Sequence, residues 1–101
     1  MLERNYQAKL IKELRQKFPG CVILKNDSDY MQGVPDLTVL FEDKWAMLEV
    51  KSEEDAPMQP NQEYYIFELD KMSYAAFIYP ANHDDILRDL KEHFRSRRLR
   101  G

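Results

Sequence analysis

A single cysteine, three glycines and no long apolar run set the first limits on this chain. One thiol excludes an internal disulfide. Cys21, inside the apolar run Cys21-Val22-Ile23-Leu24, reads as a buried side chain, since no His accompanies it in a recognisable nucleophile motif. Three scattered glycines cannot form a phosphate-cradling loop. No segment approaches the roughly 20 apolar residues that span a bilayer, and Met1-Leu2-Glu3-Arg4-Asn5 lacks the apolar core of a secretory signal. A cytoplasmic protein with no membrane partner is therefore expected. His83 and His93 stand apart, without Cys or His partners at zinc spacing, and read as capping or surface residues. A basic surplus is missing too, because the net charge is -3. That total does not exclude phosphate contacts, because the charges are segregated. Arg95, Arg97, Arg98 and Arg100 crowd one end, and Glu53-Glu54-Asp55 lies mid-chain.

What is present suffices for one compact domain. The chain has 101 residues, 44% of them hydrophobic and 12% aromatic, which argues against disorder. The domain is expected over residues 1–94, with a basic tail over 95–101. A helix is predicted from near Leu2 to Phe18, ended by Pro19-Gly20. A short strand follows over Cys21–Lys25, then a polar, turn-rich stretch from Asn26 to Gly33. Asp36–Phe41 and Trp45–Lys51 read as a hairpin around Glu42-Asp43-Lys44. Both strands are apolar at nearly every position, as for strands covered on both faces. A second helix is expected to begin near Pro60, a fourth strand to span Ala75–Tyr79, and a last helix, capped by Asn82, to run to about Phe94. The predicted class is α/β, a small mixed sheet flanked by helices.

Several polar residues fall where this pattern asks for apolar ones. At 100° per residue the first helix buries a stripe of Leu10, Leu14, Phe18 and Ile11, and Glu3 and Gln7 lie in that stripe. Gln62 likewise shares the stripe of Ile66 and Leu69. A polar group aimed at a core is costly unless something polar waits there. Glu49 and Lys51 alternate with Leu48 and Val50, so they share one face at the end of an apolar strand. Asp36 begins the partner strand, and a hairpin brings the two carboxylates together. Two carboxylates suit a hard cation such as Mg²⁺, and a neighbouring Lys suits a phosphate gaining charge. A plain salt bridge at Glu49–Lys51, with Asp36 as a turn residue after Pro35, reads the same residues without chemistry.

Gly33-Val34-Pro35-Asp36, then Glu49-Val50-Lys51, then Gln62 on the following helix, resembles the PD-(D/E)XK nuclease superfamily. Within it the pattern looks most like the VRR-NUC (virus-type replication-repair nuclease) group, whose stand-alone members occur in phages. The element order is similar as well, so the resemblance covers Glu3 to about Tyr79. It implies a restriction-endonuclease-like core with order αβββαβ and a cytoplasmic setting in a bacterium or infected host. Asp36 and Glu49 are implied as metal ligands together with the Val50 carbonyl, and Lys51 as the group positioning the attacking water. Glu3 matches the acidic residue of the first helix, contacting a metal-bound water or second metal, and Gln62 the polar residue of the second. The implied reaction is Mg²⁺-dependent phosphodiester hydrolysis in DNA leaving a 5′-phosphate, with Mn²⁺ able to substitute.

The resemblance points to a homodimer acting on branched DNA such as a four-way junction. A catalytically silent protein that binds DNA or a replication partner, and a nuclease for flapped or linear DNA, are the alternatives. Lys25, Arg95, Arg97 and Arg98 are the candidate DNA contacts. Glu53-Glu54-Asp55 is expected to form a solvated loop pointing away from substrate, and Asp27 and Asp29 to form turns.

Overall fold

The computed structural model describes residues 2–95. Its elements run α1 (Glu3–Lys17), β1 (Val22–Lys25), β2 (Leu37–Phe41), β3 (Lys44–Val50), α2 (Gln62–Met72), β4 (Ala75–Ile78), a 3₁₀ turn at Pro80–Asn82, and α3 (His83–Arg95). The four strands form one sheet in the order β1-β2-β3-β4. The first three are antiparallel neighbours, and β4 joins β3 in parallel after the α2 crossover. The sheet is therefore mixed and flanked by three helices, as the sequence predicts.

The two faces of this sheet are covered differently. Leu37, Val39, Ala46, Leu48, Val50 and Ile78 point to one face and are fully buried. There they meet Leu10 and Leu14 of α1 and Leu87, Leu90 and Phe94 of α3 in one core. Phe18, Phe41 and Phe94 close its far end, with ring centroids 5.1–5.6 Å apart. Burying one Leu or Phe stabilises by about 1.5–3 kcal/mol, so this face carries most of the stability. The other face is covered only over β3 and β4, by α2. Val22, Leu24 and Leu40 remain exposed there. The expectation that both hairpin strands are covered on both faces thus fails at Leu40, because a single helix cannot span four strands.

Four further details differ from the sequence reading. α2 begins at Gln62, because Asn61 adopts a left-handed backbone (φ 70°) that breaks helical continuity with Pro60. Asn82 does not cap α3. Its side chain turns back, accepting the Tyr79 N–H at 2.8 Å and donating to the Phe77 carbonyl at 3.0 Å. Cys21 is half-buried, packed against the core edge.

The histidines are ties between elements, neither caps nor free surface groups. His83 Nε2 donates to Glu13 at 2.7 Å, and Nδ1 accepts from the Tyr6 hydroxyl at 2.7 Å when the ring is neutral. That chain locks α3 onto α1. His93 reaches the Trp45 carbonyl and Ser73 at 3.0 and 3.1 Å. Tyr6 itself completes the buried stripe of α1, and its burial raises the phenol pKa.

Candidate functional site

The strand ladder runs out where the site begins. Leu37 pairs with Leu48, so the next residues back along β2 are Asp36 and Pro35, opposite Glu49 and Val50. The Val50 N–H donates instead to the Asp36 carboxylate, at 2.9 Å. An extended residue points its N–H and C=O to the same edge. The Val50 carbonyl therefore also opens toward Pro35, which has no N–H to offer it. On the other side the Lys51 N–H donates to the Ile78 carbonyl at 2.9 Å, extending the β3–β4 pairing by one residue. Residues 49–51 are thus pinned from both neighbouring strands.

Glu49, Lys51 and Gln62 are 4%, 6% and 8% exposed, deep enough that each polar group needs a partner. Gln62 connects them. Its amide nitrogen donates to Glu49 Oε2 at 2.8 Å, and its carbonyl accepts from Lys51 Nζ at 2.8 Å and the Gln59 N–H at 3.0 Å. An ammonium donor on one side and a carboxylate on the other allow only this amide orientation. Lys51 gives a second proton to the Pro57 carbonyl at 2.9 Å, which leaves one N–H of the ammonium beyond these two bonds. Among the described residues, the buried side-chain atom Glu49 Oε1 has no hydrogen-bond partner. A buried carboxylate oxygen in that state is satisfied by a proton or by a cation. Accordingly, burial and then the adjacent Asp36 charge push the Glu49 pKa up to about 8. Burial also raises Asp36, against the Val50 N–H and Lys51, which lower it.

These groups face a cleft of about 580 Å³ whose walls include Glu3, Asp36, Glu49, Lys51 and Gln62. Glu3 is solvent-exposed at the start of α1, yet its carboxyl feels the site. Burial and then the Asp36 charge raise its pKa, and Lys51 opposes them. Among the described residues no three His, Cys, Asp or Glu side chains form a group able to hold an ion by themselves. Glu3 lines the same cleft as Asp36 and Glu49.

The other expected residues separate. Asp29 reaches the cleft wall, whereas Asp27 forms a turn by accepting the Asp29 N–H at 2.8 Å. Glu53, Glu54 and Asp55 are exposed and do not line the cleft. Lys25 is exposed at the end of β1 and does not line the cleft. Arg95 is paired with Glu92 at 2.7 Å and sits with Phe18, Phe41 and Phe94. Phe41 pairs with Lys44 at the opposite end of β3 from Glu49, about 17 Å away along the strand at 3.3 Å per residue. Arg97 and Arg98 lie outside the described residues.

Two residues, Asn26 and Gly33, support the site in ways the sequence reading does not assign. Asn26 holds the segment carrying Asp36. Its amide donates to the Pro35 carbonyl and the Thr38 hydroxyl, each at 2.9 Å, and its N–H donates to the Asp36 carbonyl at 2.8 Å. Gly33 (φ 91°) lies against the turn that launches α2, where an added Cβ would stand 2.6 Å from the Asn61 Cβ and 2.8 Å from the Pro60 carbonyl. Only glycine lets the Asp36 loop touch the start of the helix that carries Gln62. The polar loop offers a hint of Asn26 by residue type alone, but nothing local marks its partners. No family model, curated protein or solved structure matches this chain.

Proposed function

We propose that this chain is a metal-dependent nuclease that hydrolyses phosphodiester bonds in DNA, with Asp36, Glu49 and Lys51 as its catalytic residues. The observation that carries the reading is the orphaned Glu49 Oε1. It lies on a carboxyl raised beside Asp36, in a cleft that also receives the Lys51 ammonium. This donor set fits a hard divalent cation: two carboxylates, with the neighbouring Val50 carbonyl, leave the remaining positions to water, as Mg²⁺ prefers. Bound there, Mg²⁺ or Mn²⁺ supplies a Lewis acid for the phosphoryl oxygen and a more acidic water.

The chain's own residues do the rest. Gln62 holds Glu49 and Lys51 in register, so neither rotates out of the cleft. Lys51 turns its remaining proton to the phosphate or to the attacking water, offsetting charge that grows during in-line displacement. Asp36 is oriented by the Val50 N–H and stays a carboxylate once a cation offsets the two negative charges. Glu3 aligns water at the cleft mouth. A branched substrate such as a four-way junction and a two-fold dimer extend this reading from the family resemblance.

The test offers labelled junction, flap and linear DNA with Mg²⁺, Mn²⁺ or EDTA. Wild type is expected to cut only with metal. Asp36→Ala and Lys51→Ala are expected to lose at least about 10²-fold in rate, the scale of one lost transition-state contact. Retention of DNA by a wild type that cuts nothing would favour a silent binding protein. Unimpaired cutting by Lys51→Ala would remove Lys51 from the mechanism.

A further inference from the structure

The outward face of α1 carries charge of one sign. Arg4, Lys9, Lys12 and Arg15 are all exposed. At 100° per residue they fall within about 140° of the helix circumference, opposite the buried Leu10 and Leu14. Both carboxylates of α1 are directed elsewhere. Glu3 lines the catalytic cleft, and Glu13 is held at 2.7 Å by His83 of α3. None of the four cations makes an ion pair or a side-chain hydrogen bond among the described residues.

The exposed side of α3 shows what an ordinary solvated helix face looks like on the same protein. There Arg88 pairs with Asp85 at 3.0 Å and Arg95 with Glu92 at 2.7 Å. In a chain of net charge -3, four unpaired cations in one row are a local excess that the total conceals. The row has a direction as well. It starts at Arg4, next to the cleft residue Glu3, and reaches Arg15 about 17 Å away at 1.5 Å per residue. At 3.4 Å per nucleotide of one strand that is about five phosphates. Lys25 pairs in register with the core residue Leu37, so it leaves the sheet on the α1 side.

We propose that the outward face of α1 is the surface on which the phosphate backbone of duplex DNA lies, Arg4 nearest the catalytic cleft and Arg15 farthest. The inference rests on the nuclease reading for the identity of the polyanion. The face works by counterion release, so it supplies affinity and orientation without sequence preference.

The test measures binding of a fluorescent duplex by anisotropy in EDTA, across a salt series, for wild type and for the variant R4Q/K9Q/K12Q/R15Q. The plot of log K against log salt is expected to become shallower by about 3 to 4, roughly 0.9 per cation removed. At low salt the variant is expected to bind at least tenfold more weakly. The control R88Q/K91Q on α3, which removes two cations, is expected to keep the wild-type slope, and thermal melting of each variant confirms that it is folded. An unchanged slope in the α1 variant, an equal per-charge loss in the α3 control, or wild-type binding to anionic vesicles in preference to duplex DNA would overturn the proposal. Cutting with Mg²⁺ separates the two readings. Cleavage with an unchanged slope removes the α1 surface and keeps the nuclease. A slope carried by α1 without cleavage under any metal keeps the surface and removes the nuclease.

Discussion

β3 presents two different chemistries on its two faces. Ala46, Leu48 and Val50 are fully buried against α1 and α3, with no polar atom among their side chains. Glu49 and Lys51, one residue out of phase, are nearly as buried beneath α2, yet they are ionisable and linked through Gln62. The first face gains from leaving water. The second gives up stability to hold a carboxylate with an unsatisfied oxygen, a cost retained where a site must meet a ligand. The contrast shows that burial alone does not separate core from site. The distinguishing observation is whether each buried polar atom has a partner.

Substitutions that exchange the character of the faces sharpen this comparison. Leu48→Ala has the largest expected effect on stability. It should cost about 2–5 kcal/mol, the range for truncating a buried Leu, read from the urea midpoint. Removing charge from the other face should do the opposite. The Glu49 pKa rises from 4.5 in the unfolded chain to about 8 in the metal-free fold. The folded state then binds the proton more tightly than the unfolded state does. Its contribution to stability is full below about 4.5 and is lost as the pH climbs through about 8. In EDTA, wild type should therefore weaken between pH 5 and 9, about the span set by those two values. Glu49→Gln should flatten that decline. If both proteins show the same pH profile, Glu49 is not the strained group.

Smaller effects probe what joins the faces. Gly33→Ala forces a left-handed backbone and a clash with the α2 turn. It should cost about 1–3 kcal/mol, with cleavage falling further than stability because Gln62 shifts with the turn. Asn26→Ala should cost about 1–3 kcal/mol, since the Pro35 carbonyl and Thr38 hydroxyl lose their donor. Denaturation and cleavage rates measured on the same samples check both. Equal losses in the two readouts would make these residues props of the fold alone.

Much of this arrangement was legible locally. The 100° periodicity of α1 gives Leu10, Leu14 and Phe18, and the alternation Leu48-Glu49-Val50-Lys51 assigns two residues to each face. Gln62 stands out as a polar residue on an apolar stripe. Tyr6 escapes the same test because its hydroxyl disguises a core ring, which is satisfied by a histidine far along the chain. The same periodicity applied to charges would have exposed the α1 cation row. The charges of the arginine tail are adjacent in sequence, whereas Lys9, Lys12 and Arg15 become neighbours only on a helix.

By itself, then, the sequence determined the elements, the sheet class and which side chains share a face, because periodicities of 3.6 and 2 follow from backbone geometry. Only the tertiary structure decided that Asp36 takes the Val50 N–H, that Glu49 keeps an orphaned oxygen, and that Gly33 admits the turn carrying Gln62. Each of these depends on groups distant in the chain meeting at one strand end. A local pattern shows that a polar residue points inward, but the partner it meets there is settled by how the layers pack.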